Sequence, residues 1–147
     1  MVCGLGALHS IALYTIARYC KRVGRDVGRF RLMELLFLAD YLSWKRLGRK
    51  LTGTEWHKHL FGASNTLVYK VLDELERGGM VAVEEVSRGI LLYRTHRDQE
   101  ELGIGREAEN IVNEVIEKFG SLGIDELLNY INSLDEVRNR ELGDKVL

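Results

Sequence analysis

The sequence predicts a mainly α-helical fold with a small β-hairpin. Apolar residues recur at helical spacing in several stretches, which indicates amphipathic helices. Residues 80–95 differ, because two runs rich in β-branched and aromatic side chains flank Ser87-Arg88-Gly89. A short glycine-containing loop between two such runs is typical of a hairpin. The 147 residues are enough for one domain with its own hydrophobic core.

The first two predicted helices are strongly apolar. Leu5 to Val23 form the first, with an apolar face made of Leu8, Ala12, Ile16, Tyr19 and Val23. Gly24 and Gly28 then enclose a short basic turn. Phe30 to Leu47 form the second predicted helix, and its first apolar face consists of Leu32, Leu35, Leu36, Ala39 and Leu42.

The second helix also carries a second apolar stripe, made of Met33, Phe37, Tyr41 and Trp44. A helix that is apolar on two faces is usually the buried centre of a domain, and the alternative is that this stripe contacts a partner chain. Asp40 lies between the two faces. Because an unpaired buried carboxylate is costly, we expect Asp40 to pair with a base or to cap another segment.

The middle of the chain predicts two consecutive helices. A short helical pattern covers Thr54 to Leu60, Gly62 allows a tight turn, and a longer helix is predicted from about Asn65 to Arg77. The inward face of the longer helix is formed by Leu67, Val68, Val71, Leu72 and Leu75. Its outward face carries Thr66, Tyr69, Lys70, Asp73 and Arg77.

Signals at both ends of the longer helix support these bounds. Ser64 stands where its hydroxyl can cap the first turn, and Gly78-Gly79 can close the last one. The predicted hairpin follows at once, with strands over Met80 to Val86 and Ile90 to Thr95. The order of helix, turn, helix and hairpin is that of a winged helix-turn-helix.

This core of about residues 30–96 is followed by C-terminal helices at about 105–142. The first is predicted from Arg106 to Phe119 and the second from Ile124 to about Leu142, with an apolar face that thins past Leu134. Such helices either cover the core of their own chain or form the interface of a homodimer.

Charge is distributed unevenly along the chain. Residues 1–70 hold 12 basic and 4 acidic side chains, a formal charge of +8, whereas the whole chain carries −1. The remaining residues must therefore carry −9. An asymmetry of this size indicates either a polyanionic or acidic partner for the first half, or pairing of the two halves within one molecule.

Several classes of function are not expected. No run of 18 apolar residues exists, so no membrane-spanning helix is predicted. Two cysteines make no disulfide framework and no signal peptide is expected, so the cytoplasm is the expected location. Glu55, His57 and His59 are spaced two residues apart, which does not bring side chains together on a helix, so no metal site is expected. We also expect no cofactor and no enzymatic activity, since no phosphate loop, nucleophile elbow or zinc-protease motif is present.

Two resemblances follow from these residues. Phe61 to Tyr69 resembles the run that opens the recognition helix of winged-helix repressors. Arg31 to Asp40, Trp44 to Trp56 and Leu72 to Val81 resemble the Panacea domain family, which includes SocA-like and GepA-like proteins. This longer resemblance covers about residues 30–83. It implies a small helical domain that binds protein partners, often as an antitoxin or a proteolytic adaptor.

The chain departs from the Panacea pattern at identifiable positions. The family's Gly-Pro is Gly62-Ala63 here, and the lysine within its leucine run is Glu34. The family's C-terminal Thr-His and tryptophan features are missing after Glu126.

The first functional hypothesis is a transcriptional regulator that binds double-stranded DNA. The helix at 65–77 would enter the major groove, with the basic first half supplying electrostatic attraction to phosphates. The residues expected to contact DNA are Lys58, Ser64, Asn65, Thr66, Tyr69, Lys70, Arg77 and Arg88.

The second hypothesis is an antitoxin-like module that binds a protein such as a toxin. Its expected surface is the stripe of Met33, Phe37, Tyr41 and Trp44, together with the acidic C-terminal helices. Exposure of that stripe discriminates the two hypotheses, because a large exposed apolar patch implies a partner.

Overall fold

The computed structural model describes residues 6–98 and 101–147. Leu5, the predicted start of the first helix, and Cys3 lie outside this part. The described elements, in chain order, are α1 (Ala7–Val23), β1 (Val27–Gly28), α2 (Arg29–Leu47), β2 (His57–His59), β3 (Gly62–Ser64), α3 (Thr66–Arg77), β4 (Ala82–Ser87), β5 (Ile90–Arg94), α4 (Arg106–Phe119), α5 (Ile124–Ser133) and α6 (Asp135–Arg138). The predicted fold class, mainly helical with a small antiparallel hairpin, is confirmed.

Two central helices contribute the longest buried runs of the hydrophobic core. Every residue of α1 from Ile11 to Ala17 is buried, as is every residue of α2 from Leu32 to Asp40. The two helices pack on each other and on α4, while α1 also packs on α3. Both end at a glycine in the left-handed conformation, Gly24 and Gly48, whose N–H groups return to the last turn.

The predicted hairpin is present and belongs to a three-stranded antiparallel sheet of order β1-β5-β4. Ser87 pairs with Ile90, so the turn consists of Arg88 and Gly89, and Gly89 has the positive φ of 70° that the sequence predicts. Strand β1, a two-residue strand in which Val27 pairs with Tyr93, is not predicted by the sequence.

The predicted short helix at Thr54–Leu60 is wrong. Residues 57–59 form β2, which pairs with β3 on one side, and the last residues of the chain bond to the other side. Trp56 N–H donates to Leu147 O at 3.0 Å, and Lys58 N–H donates to Asp144 O at 2.8 Å. These partners lie far away in sequence, so local periodicity could not reveal them.

The helix predicted from about Asn65 to Arg77 is present as α3, but a different residue caps it. Asn65, not Ser64, caps α3: its side-chain oxygen accepts a hydrogen bond from Leu67 N–H at 3.0 Å. At the other end Gly79 has a φ of 73°. A helix followed by a hairpin is compatible with a winged helix, but the first helix of the predicted helix-turn-helix is replaced by β2.

The C-terminal region is only partly helical. Helix α4 has the predicted bounds of Arg106 and Phe119. The predicted last helix ends early, because Leu134 adopts an extended conformation with a ψ of 136° and α6 covers only four residues. Residues 143–147 bond to β2, and Val146 and Leu147 are buried. Among the described residues, no helix combines the length and apolar character that crossing a membrane would require.

Candidate functional site

An apolar group of side chains is exposed at the turn between β2 and β3. Leu60 is 66% exposed and Phe61 is 52% exposed. The Phe61 ring lies edge-on to the ring of Phe30 at the start of α2, with centroids 6.4 Å apart, and 6.1 Å from the ring of His59. We call Phe30, His59, Leu60 and Phe61 the hairpin patch. The sequence does not predict this patch, because the helical pattern at residues 54–60 includes Leu60; the available signal is the pair of adjacent apolar residues before the turn glycine.

The hairpin that carries this patch is held by backbone bonds on both sides. Strand β3 pairs with β2 along His57–His59, and the C-terminal segment bonds to the opposite edge. The Lys58 ammonium group adds a hydrogen bond to Arg140 O at 2.8 Å. The tip is therefore an anchored projection, and its exposed side chains need little ordering before they bind a partner.

Asp40 fixes the segment that leads into this hairpin. One carboxylate oxygen accepts Thr52 N–H at 2.9 Å, and the other accepts the indole N–H of Trp56 at 2.8 Å and the Thr52 hydroxyl. Burial raises the pKa of Asp40, against the hydrogen bonds from Thr52 and Trp56, which lower it. The prediction that Asp40 caps another segment is confirmed.

The stripe predicted as a partner surface is largely internal. Met33 and Phe37 are buried, and the Phe37 ring packs edge-on against Trp56 with centroids 5.5 Å apart. Tyr41 is half-buried and donates its hydroxyl to Glu136 at 3.1 Å, while Trp44 remains 46% exposed. The expectation of a four-residue partner surface is therefore wrong for Met33 and Phe37. Only Tyr41 and Trp44 reach the surface, because α2 is a central helix of the core.

Ion pairs within the chain link the basic first half to the acidic second half. Arg22 donates to the Glu117 carboxylate through Nε and Nη2, each at 2.7 Å, and Arg46 donates to Glu114 through Nη1 and Nη2, also at 2.7 Å. Hydrogen bonds from Arg46 and Lys118 lower the pKa of Glu114 to about 2. Three further pairs of this kind join Lys45 to Glu136, Arg49 to Glu107 and Arg29 to Asp73. Among the described residues, these pairs join five of the twelve basic residues of the first half to acids of the second half, which supports the intramolecular explanation of the charge asymmetry.

Comparison with known proteins supports the longer of the two resemblances. The family described as antitoxin SocA-like, Panacea domain, matches residues 32–135. The chain belongs to this Panacea domain family. The match begins in α2 and ends at the first residue of α6, so it contains the hairpin and most of its patch. No curated protein and no solved structure matches the chain.

The residues expected to contact DNA differ in their exposure in this Panacea domain. Asn65 is buried, and its amide donates to the Thr54 hydroxyl at 2.6 Å. The Arg29 guanidinium lies 4.5 Å from the centroid of the Tyr69 ring, which is still 42% exposed, and Lys58 is bonded to a backbone carbonyl. Ser64 is half-buried in β3, and the exposed residues of the set are Thr66, Tyr69, Lys70, Arg77 and Arg88.

Three further expectations concern the rest of the domain. The apolar face of α4 is buried, mainly against α1 and α2, whereas Ile124 and Tyr130 of α5 remain exposed, so a homodimer is left with the outward face of α5 or the charged outer face of α4. In residues 6–98 and 101–147, no three His, Cys, Asp or Glu side chains come close enough to hold a metal ion. Leu67, expected to face inward on α3, is 48% exposed.

Proposed function

We propose that this Panacea domain is a non-enzymatic module of antitoxin or adaptor type that binds a protein partner through the hairpin patch. The observation that carries the proposal is the cluster of exposed apolar side chains on an anchored hairpin, inside a region that matches an antitoxin family. Single exposed apolar residues are ordinary, but a contiguous group on one projection is typical of an interaction site.

The geometry of the patch favours a protein partner. Leu60 and Phe61 are adjacent at the tip, and the Phe30 ring supports Phe61 from below. Large apolar anchors that enter a pocket of the partner commonly supply most of the binding energy of an interface. The partner expected here therefore presents an apolar pocket that receives Phe61 and Leu60.

The ion pairs within the chain weaken the electrostatic argument for a DNA partner. Arg22, Arg46 and Arg49 each bond a glutamate of α4, so their charges are compensated within the molecule. The family description likewise names an antitoxin. Both observations favour a protein partner over double-stranded DNA.

The test compares partner binding by two matched double variants. Wild-type protein is used to isolate a partner from the native host, which is then purified and titrated calorimetrically against each form. Leu60→Ser/Phe61→Ser is expected to weaken binding by about 30-fold or more, since losing two buried anchors costs about 2 kcal/mol or more.

The control is Val86→Ser/Ile90→Ser, which removes two equally exposed apolar side chains from the β4–β5 hairpin. It is expected to bind like the wild type. Equal loss in both variants, or no loss in either, would remove the hairpin patch from the interface. Salt-sensitive binding of the wild type to a random DNA duplex, weakened by Lys70→Glu, would restore the DNA hypothesis.

A further inference from the structure

A buried acid lies directly beneath the hairpin that carries the patch. Glu34 of α2 is 2% exposed, and its carboxyl group reaches the turn into β3. Its only hydrogen bond in the described part of the chain comes from Ala63 N–H, at 3.4 Å. A Cβ atom at Gly62 would lie 2.7 Å from Glu34 Oε1, so the carboxyl group fills the space under this glycine.

In the part of the chain that the structure describes, no charged group compensates this carboxyl. Strand β3 carries none. On α2, Arg31 donates to Leu122 O at 2.6 Å and Asp40 is bonded to Trp56. On α5, which packs on both α2 and β3, Asp125 and Glu126 are exposed acids and would repel an anion.

Strand β2, which pairs with β3, offers no counter-ion either. Its Lys58 ammonium is bonded to Arg140 O, His57 contacts Gly143 O at 3.2 Å, and His59 lies in the hairpin patch. An ionised Glu34 would therefore be a buried charge with one weak hydrogen bond, which is a costly state. Burial raises the pKa of Glu34 from 4.5 to about 8, while the Ala63 bond lowers it slightly.

We infer that Glu34, as a neutral carboxylic acid, positions the β2–β3 hairpin, and that its ionisation opens the hairpin and disperses the patch. Opening brings the carboxylate into water, which relieves the cost of the buried charge. The same movement separates Phe61 from Phe30. The consequence for partner binding rests on the function proposed above, whereas the opening of the hairpin does not.

The direction of the pH effect follows from linkage. The closed hairpin keeps the Glu34 pKa near 8, and in the opened hairpin the group is solvated and returns towards 4.5. Above 4.5 the opened form loses its proton first, so the opening constant increases by about tenfold per pH unit. The increase stops near pH 8, where the closed form ionises as well. Stability of the closed hairpin is thus complete at acidic pH and is lost as the pH rises.

Hydrogen exchange of the hairpin amides tests this without any partner. Protection of Ala63 N–H and of the β2–β3 ladder, corrected for intrinsic exchange, is expected to fall by about tenfold per unit from pH 5 to pH 8 in the wild type. Glu34→Gln keeps the shape without the charge and is expected to be independent of pH. Glu34→Met is a second neutral variant in case the amide packs poorly. The α4 amides serve as internal references.

If the exchange protection of the hairpin amides changes with pH in the same way in the wild type and in both neutral variants, the inference is wrong. The partner titration adds a second readout: wild-type affinity is expected to weaken between pH 6 and about pH 8.5, whereas that of Glu34→Gln is not. If the amides respond to pH but the Leu60→Ser/Phe61→Ser variant binds normally, the proposed function fails and the hairpin switch stands. If that variant loses binding but the amides do not respond, the switch fails and the proposed function stands.

Discussion

Replacing Glu34 by glutamine is expected to remove the contribution of this residue to the pH dependence of the free energy of unfolding. The pKa of Glu34 is about 8 in the folded chain and 4.5 in the unfolded chain. At neutral pH, folding is therefore coupled to the uptake of a proton by this carboxylate. The stabilising effect of the neutral form is complete below 4.5 and is lost as the pH rises towards 8. One unit of pKa shift corresponds to about 1.4 kcal/mol.

The magnitude follows from this shift. At pH 5 the cost of burying Glu34 is about 1 kcal/mol, and at pH 8 it is about 4 kcal/mol, so about 3 kcal/mol is lost between the two. That loss is a large part of the 5–15 kcal/mol that stabilises a typical domain. Glutamine carries no charge. If the N–H groups of its buried amide lack acceptors, the free energy of unfolding is lower by about 1–2 kcal/mol at every pH.

Urea unfolding at a series of pH values, followed by tryptophan fluorescence, measures this difference. The free energy of unfolding of the wild type minus that of Glu34→Gln is expected to fall steadily from pH 5 to pH 8 and then to level off. Because the subtraction cancels all groups that both proteins share, it isolates Glu34. A difference that stays constant over this range would refute the argument, whatever its size.

Three further changes test the support of the hairpin. Asp40→Ala is expected to destabilise the fold by about 3 kcal/mol in urea unfolding, because the indole N–H of Trp56 and a backbone N–H lose their acceptors while buried. Gly62→Ala is expected to lower the melting temperature, since its Cβ would lie 2.7 Å from the Glu34 carboxyl at a φ of 116°. Removal of residues 143–147 is expected to abolish the exchange protection of the N–H groups of β2 that bond them, with α4 little affected.

Each of these changes has its own control. Asp40→Asn keeps one acceptor and is expected to cost less than Asp40→Ala. Gly53→Ala introduces a methyl group at a φ of 69° with no neighbouring atom, so it isolates backbone strain from the contact with Glu34. Equal losses at Gly53 and Gly62 would show that the carboxyl contact contributes nothing. Unchanged protection of β2 after the truncation would contradict the strand pairing.

Most helices could be predicted from the sequence because their signals are local. The apolar periodicity of α3 and α4 and the glycines that follow them place both helices within one residue of their observed bounds. The hairpin of β4 and β5 could be predicted equally well, since its turn glycine and β-branched runs are adjacent in the chain. In each case the hydrogen-bond partners lie within a few residues of one another.

The candidate site could not be predicted to the same extent. The sequence around β2 has a helical apolar pattern. It forms a strand because backbone groups near residue 145 accept and donate its hydrogen bonds. Phe37 is buried against Trp56, which belongs to a different segment of the chain. The charge asymmetry was visible at once, but only the antiparallel neighbours α2 and α4 show where it is compensated.

The sequence alone therefore determined the class of fold, the positions of its main helices and the resemblance to the Panacea family. Tertiary structure decided which apolar residues stay in water, which charges are paired and why Glu34 matters. The physical reason is the range of the interactions involved. Helix periodicity and capping act over a single turn, whereas the exposure of Leu60 and the isolation of the Glu34 carboxyl arise from segments that meet only in the folded chain.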